Sequence, residues 1–272
     1  MEEKDDFKNL PPEEKLRAEN ELLKLKLQAE FGMEKMKNPL DDKMQNDWLN
    51  YIYNFEKQHA ENKLVKLYDF IGKPPFKKAD ELTEEELTQE LDTMIEVLQK
   101  NGINLDTICE YDEEVIYKFI TEELFEHEMD DMRIEGMMHC FIYEEFHPNH
   151  DYDIRARADE FIESLITKKW DHFMNSVILA SEVYYNENLY DQEQFKPIIE
   201  AFQNEHSKLE LHKWEINSAS FDMETETATL EGKIKYESKT TSQIFEGNVN
   251  LEMKLEYDCW SVSRVVIPGF SR

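Results

Sequence analysis

From Thr227 to Tyr257 apolar and polar residues alternate with a period of two. Ala228, Leu230, Ile234 and Tyr236 fall on one face, and Thr229, Glu231, Lys233 and Lys235 on the other. Phe245, Val249, Leu251, Met253, Leu255 and Tyr257 repeat the pattern against Glu246, Asn248, Asn250, Glu252 and Lys254. Such alternation predicts long antiparallel strands with one buried face. Asp258-Cys259 reads as a tight turn into a last strand at Trp260-Ser261-Val262. Upstream, Leu209 and Leu211 share one face while Trp214 and Ile216 share the other. That phase slip predicts a bulge, which a curved sheet requires.

Before the strands the period is helical. Ile154, Ala158, Phe161, Ile162, Leu165 and Ile166 form a stripe expected to end near Trp170. Phe173, Met174 and Val177 continue on a second short helix, and Val183-Tyr184-Tyr185 reads as a short strand. Gln194 to Phe202 is a third helix, with Phe195, Ile198, Ile199 and Phe202 inward. Helix, helix, short strand, helix and four long strands describe a curved sheet wrapped by helices, a cone with a pocket inside.

The first 150 residues are mainly helical and less regular. Pro11-Pro12-Glu13-Glu14 opens a helix carrying Leu16, Asn20, Leu23 and Leu27 at heptad-like spacing, punctuated by Gly32 and Pro39. A second, over 41–60, places Met44, Trp48, Ile52 and Phe55 on one stripe. Leu64 to Ile71 reads as a short strand. Thr83 and Glu86 have the spacing of a capping box, ahead of Leu87, Leu91, Met94, Ile95 and Leu98. Asn101-Gly102 ends that helix. Asp112-Glu113-Glu114 begins another, with Val115, Ile116, Phe119, Ile120 and Leu124 as its stripe. Residues 132–147 fit helix or strand equally, and Pro148-Asn149 breaks them.

Charge narrows the partners. The 272-residue chain carries 31 basic and 61 acidic side chains, a net charge of -30. Between Asp106 and Asp153, 16 acids face only Lys118 and Arg133. Phosphate backbones and anionic lipid surfaces are repelled by such a field, so neither nucleic acid nor a membrane surface is an expected partner. A basic protein or a cation is electrostatically allowed. Cys109, Cys140 and Cys259 are too few and too far apart for a disulfide framework, which suits a reducing cytoplasm. The acidic N-terminus lacks the apolar run of a signal peptide, and no stretch of about 18 apolar residues suggests a membrane span.

Residues 151–272 resemble the NTF2-like superfamily, which includes SnoaL-like and ketosteroid-isomerase-like proteins. The likeness rests on element order, on the hairpin at Asp222-Met223-Glu224-Thr225-Glu226-Thr227, and on Trp260-Ser261-Val262-Ser263-Arg264 leading to Pro268-Gly269-Phe270. It implies an α+β cone, three helices on a curved antiparallel sheet. The superfamily contains enzymes, ligand binders and dimerisation modules, so the likeness fixes no chemistry. Isomerase-type sites pair an aspartate base with a tyrosine donor. Tyr184, Tyr185, Tyr236 and Tyr257 have the right type, but none stands in a family motif. Residues 1–150 resemble uncharacterised bacterial proteins, which implies no activity.

Two constellations can carry chemistry. The first is the cone interior, where Trp170, Phe173, Tyr184, Trp214, Tyr236, Phe245 and Tyr257 are wall material for a small apolar ligand. Aromatics at these periods also pack simply as core. Arg264, if it points inward, needs an anionic partner. The second is a histidine cluster. His127, His139, His147 and His150 fall within 24 residues, mixed with Glu123, Asp131, Glu144, Glu145, Asp151 and Asp153. Imidazole with carboxylate suits zinc, iron or manganese. Only one Glu-x-x-His pair, Glu144 and His147, is present, where a di-metal bundle uses two. The plain alternative is a set of hydrogen-bonded histidines at a domain junction. No Gly-x-Ser-x-Gly and no phosphate-binding glycine loop occurs.

The expectation is therefore an acidic, mainly helical region over 1–150 and an NTF2-like domain over 151–272. A non-catalytic small-ligand-binding or assembly module, needing no cofactor and homodimeric through its sheet, leads. An enzyme using the aromatic cone pocket, or a metal at the histidines, is the alternative.

Overall fold

The computed structural model describes residues 11–33, 40–167, 178–206 and 208–271. The chain divides into two compact units, Met1–Phe146 and His147–Arg272.

In the first unit α1 (Pro12–Phe31) packs on α2 (Asp42–Ala60), with Asn20 beside Asp42 and Asn46 and Phe31 beside Tyr53, so the two helices run in the same direction. The predicted stripe of α1 is the one that turns inward, with Asn20 and Leu27 buried. Asn20 earns its burial by hydrogen bonds, donating to the Asp42 carbonyl (2.7 Å) and accepting from Asn46 (2.8 Å). A buried, hydrogen-bonded amide among leucines favours one register across the pair. On α2 the phase differs by one residue from the expected stripe. Gln45 and Leu49 are buried while Met44 is 54% exposed, because the face that meets Asn20 of α1 is the one carrying Asp42 and Asn46.

The predicted strand over 64–71 is real only at β1 (Leu64–Lys66), which pairs antiparallel with β3 (Glu128–Asp130). Leu67–Phe70 instead turns into α3, burying Leu67 and Phe70 on one side. The Thr83–Glu86 capping box starts α4 (Glu84–Lys100), whose Leu87, Leu91, Met94 and Leu98 are buried. After Gly102, β2 (Ile103–Asp106) pairs in parallel with β4 (His139–Ile142), and α6 (Tyr143–Phe146) follows. The ambiguous 132–147 segment thus holds both a strand and a helical turn. Between β2 and β3, α5 (Glu113–Lys118) loosens into a π turn at Phe119–Glu123 and a 3₁₀ turn at Leu124–Glu126. The change of winding rotates the phase, so that Tyr117, Phe119, Ile120, Leu124 and Phe125 are all buried while Val115 is exposed.

The second unit begins with α7 (His150–Thr167), whose six predicted apolar residues are all buried. The expected ending near Trp170 and the short helix with Phe173 lie outside the described residues. A six-stranded sheet follows, in the order β6-β5-β10-β9-β8-β7, antiparallel except for β5 beside β10. Its strands are β5 (Leu179–Tyr185), β6 (Asn188–Asp191), β7 (Leu209–Asp222), β8 (Thr227–Ser238), β9 (Gln243–Glu256) and β10 (Cys259–Val266). β7 carries register shifts after Leu211 and after Ile216, the bulging that its phase slip predicted. α8 (Gln192–Glu205) lies between β6 and β7, started by a capping box of Asp191 and Gln194 two residues earlier than expected. The inner face of the sheet, α7 and α8 share one core, in which Phe161, Phe195, Tyr236, Val249 and Val262 are fully buried. The result is the expected α+β cone.

Candidate functional site

Inside the cone, aromatic side chains fill the space that a ligand would need. Tyr236 on β8 and Phe245 on β9 face each other across the ladder and stack at 4.9 Å. His206 packs on Phe245 (5.3 Å) and on Phe202 (5.0 Å), and Phe202 on Phe270 (5.0 Å). Tyr185 closes the ring against Phe270 (5.0 Å) and Phe195 (5.4 Å). The segment after β10 supplies the remaining partners. The Tyr236 hydroxyl donates to the Pro268 carbonyl, and the Tyr185 hydroxyl to the Phe270 carbonyl. Gly269 sits at φ +81°, and a Cβ there would lie 2.2 Å from the Phe245 ring, so only glycine lets this segment settle on the core. Burial first, then the neighbouring Tyr185, pushes the Tyr236 phenol well above its usual range. It is a neutral donor held to the chain's own backbone.

The other predicted wall residues separate. Trp214 is on the inner face but lies at the sheet edge, its Nε1 donating to Asp159 (2.7 Å) and its ring lying over Gly232. Tyr184 is on the outer face; its neighbour Tyr185 takes the inner position, as adjacent strand residues must. Arg264 is also outward, paired with Glu252 at 2.9 Å and set over the Tyr184 ring at 4.9 Å. A bulge at Ser263 explains it: register shifts between Val262 and Arg264, so Val265 rather than Arg264 follows Val262 into the core. Tyr257 is 98% exposed, because the turn into β10 is Tyr257-Asp258, both at positive φ, one residue earlier than expected. Trp170 and Phe173 lie outside the described residues.

The candidate metal ligands have other engagements. In the first unit, His127 is exposed with its ring against Phe141 and Phe146. His139 Nε2 meets the Met132 carbonyl at 3.2 Å. The Glu144 carboxylate accepts the backbone N–H groups of Ile108 and Cys109 at 2.8–2.9 Å. Burial alone would raise its pKa, but these amide bonds outweigh that and hold it below the usual value. In the second unit, His147 is half-buried ahead of α7, and His150 Nδ1 accepts from the Trp260 indole at 3.2 Å. Among the described residues no group of three His, Cys, Asp or Glu side chains is placed to hold a metal ion.

Grooves on the second unit offer open space of two kinds. One, of about 500 Å³, runs past Ser181, Gln192, Cys259 and Glu256. Its Glu256 carboxylate is pinned by the Ser181 N–H (2.8 Å) and hydroxyl (2.9 Å). The other, of about 1010 Å³, is lined by the β5–β6 turn (Asn186, Glu187, Asn188) and by the last turns of α8. Phe202, Phe245 and Phe270 are among its apolar lining, and Gln243, Glu205 and His206 among its polar lining. His206 is only 5% exposed, and its Nδ1 meets Ser238 Oγ at 3.1 Å. Sequence reading passed over His206. Its spacing of four from Phe202, on the predicted inner face of α8, was the available signal.

No sequence family and no curated protein matches the chain. Structural likeness is confined to part of it. A conserved protein from Planctomyces limnophilus is 16% identical over 44% of this chain and 97% of its own, with a TM-score of 0.33. An NTF-2 like protein of unknown function from Shewanella oneidensis is 14% identical over 42% and 95%, with a TM-score of 0.31. A SnoaL-like protein from Mesorhizobium loti is 13% identical over 42% and 97%, with a TM-score of 0.29. Over somewhat less than half of its length, then, this chain is similar to NTF2-like and SnoaL-like proteins.

Proposed function

We propose that the second unit is a non-catalytic binding module whose ligand site is the groove beside α8 and the β5–β6 turn, not the interior of the cone. One observation carries this reading. The inner tyrosines spend their hydroxyls on the carbonyls of Pro268 and Phe270, and the aromatic rings between them fill the core. A cone used for acid–base chemistry keeps such donors free for a substrate. Here they hold the chain's own backbone, and the open space with polar groups lies outside them. Native mass spectrometry of purified protein tests the reading. A small molecule that co-purifies, is released unchanged and is lost on substitution in the groove supports it. Turnover of any small carbonyl or ester substrate that disappears in Tyr236→Phe overturns it.

A second reading, assembly as a homodimer through the outer sheet face, is favoured by one feature. Ser220, Thr229, Asn248 and Asn250 are uncharged positions on that face, interspersed with Glu231, Lys233 and Glu252. Sedimentation of the 32.6 kDa chain at micromolar concentration decides it, and a monomer removes it. No helix among the described residues is long and apolar enough to cross a membrane. No disulfide joins Cys109, Cys140 or Cys259, which is the support for placing the protein in a reducing cytoplasm.

A further inference from the structure

Chemistry at the 1010 Å³ groove selects its ligand by charge. Glu187 and Glu205 both line it, and neither has an ion-pair partner among the described residues. Among the described residues its lining holds no lysine or arginine, and the other polar groups include the amides of Asn186, Asn188 and Gln243 and the His206 ring. Glu205 ends α8 and His206 is its C-cap residue, so the free carbonyls and the negative end of the helix dipole belong to this side. The chain's net charge of -30 adds a long-range field of the same sign. Among the described residues, an anion would meet two carboxylates and a helix C-terminus and no lysine or arginine.

His206 adds a separate pointer. Its ring is buried between Phe202 and Phe245 and lines the groove, with Nδ1 tied to Ser238. Nε2 is the polar atom the ring still has to offer. Ser238 is fully buried and also receives the Thr241 N–H, so the ring's orientation is set by the scaffold and not by solvent. Next to it, Phe202, Phe245 and Phe270 offer apolar surface for a ring or branched chain.

We propose that this groove binds a small primary amine carrying an aromatic or branched apolar group. The ammonium is held by Glu187 and Glu205 and donates to His206 Nε2, and the apolar part lies on the phenylalanines. This rests on the reading of the groove as the ligand site. Calorimetric titration of the full chain at low salt with 2-phenylethylamine tests it, beside 2-phenylethanol (neutral) and 3-phenylpropanoate (anionic). The expected result is one saturable amine site, an alcohol at least about tenfold weaker, and an acid that gives no binding heat. The double variant Glu187→Gln, Glu205→Gln changes exposed positions only, so its fold is kept, and it should weaken the amine by about tenfold or more. His206→Asn should weaken amine and alcohol together, and its melting temperature checks that the core is intact. Equal affinity for the acid, an unchanged double variant, or no saturation by about 10 mM amine overturns the proposal. If a different molecule co-purifies and is displaced by groove substitutions while the amine fails, the charge argument falls and the binding module stands. If nothing binds the groove in either experiment, both fall.

Discussion

Replacing Tyr236 by phenylalanine removes one oxygen and leaves the ring stacked on Phe245. The Pro268 carbonyl then loses the hydroxyl that reaches it inside the core. Leaving a buried acceptor without its donor costs about 1–3 kcal/mol. With a urea dependence of about 1–3 kcal/mol per molar, the unfolding midpoint of the second unit should fall by about 1 M. Alkaline pH supplies an independent check. Burial, then Tyr185, raises the folded-state pKa of Tyr236 above its unfolded value. The folded protein keeps a proton that the unfolded chain releases from about pH 10, so stability is intact below that pH and is lost as pH rises toward the folded value. The slope for one such group is at most about 1.4 kcal/mol per pH unit. Phenylalanine has no proton to release, so the gap between variant and wild type should narrow from about pH 10 upward. Urea melts followed by tryptophan fluorescence at pH 8 and pH 11 measure both effects. Equal midpoints at pH 8, or a gap that stays constant to pH 11, would refute the structural role assigned to this hydroxyl.

Other substitutions probe separate features. Gly232→Ala places a Cβ 2.7 Å from the Glu215 carbonyl and the Trp214 ring; it should destabilise the second unit by about 1–3 kcal/mol in denaturant melts, and Trp214→Leu in the same chain should recover part of that loss. Glu144→Gln weakens the carboxylate's bonds to Ile108 and Cys109, and because the group is partly exposed the cost at pH 7 should be about 1 kcal/mol. The depressed folded pKa of Glu144 gives stability present above the unfolded carboxylate value and lost as pH falls through the folded one; wild type and variant should therefore converge in melts at acid pH, and a constant difference down to about pH 3 would count against the pinned carboxylate. Metal analysis of protein purified without chelator should read well under one equivalent of zinc, iron or manganese, whereas near-stoichiometric metal lost in His147→Ala, His150→Ala would restore the metal centre.

Much of the second unit is legible in its residues, because periodicity is a local property. A strand at 227–238 or a helix at 150–167 needs one face apolar, and Ile234, Tyr236, Phe161 and Leu165 announce that face at the right spacing. The capping box at Thr83–Glu86 and the bulges of β7 are equally local. β6 escaped, since Asn188–Asp191 is four residues long and takes its strand geometry from the Asn186-Glu187 turn and from β5. Candidate sites were less legible, because they depend on which way side chains point after the sheet has closed. One extra residue in β10 sends Arg264 to Glu252 instead of the core, and one residue of turn placement puts Tyr257 in solvent. Histidines close in sequence found separate partners, with Glu144 drawn to the amides of Ile108 and Cys109, some 35 residues away. His206 became a groove residue only when β8, β9 and the segment after β10 converged on α8. The sequence alone determined periods, caps and charge, which act over a few residues. Only the tertiary structure decided which hydroxyls, carboxylates and rings are left for a ligand, because that depends on pairings between residues far apart along the chain.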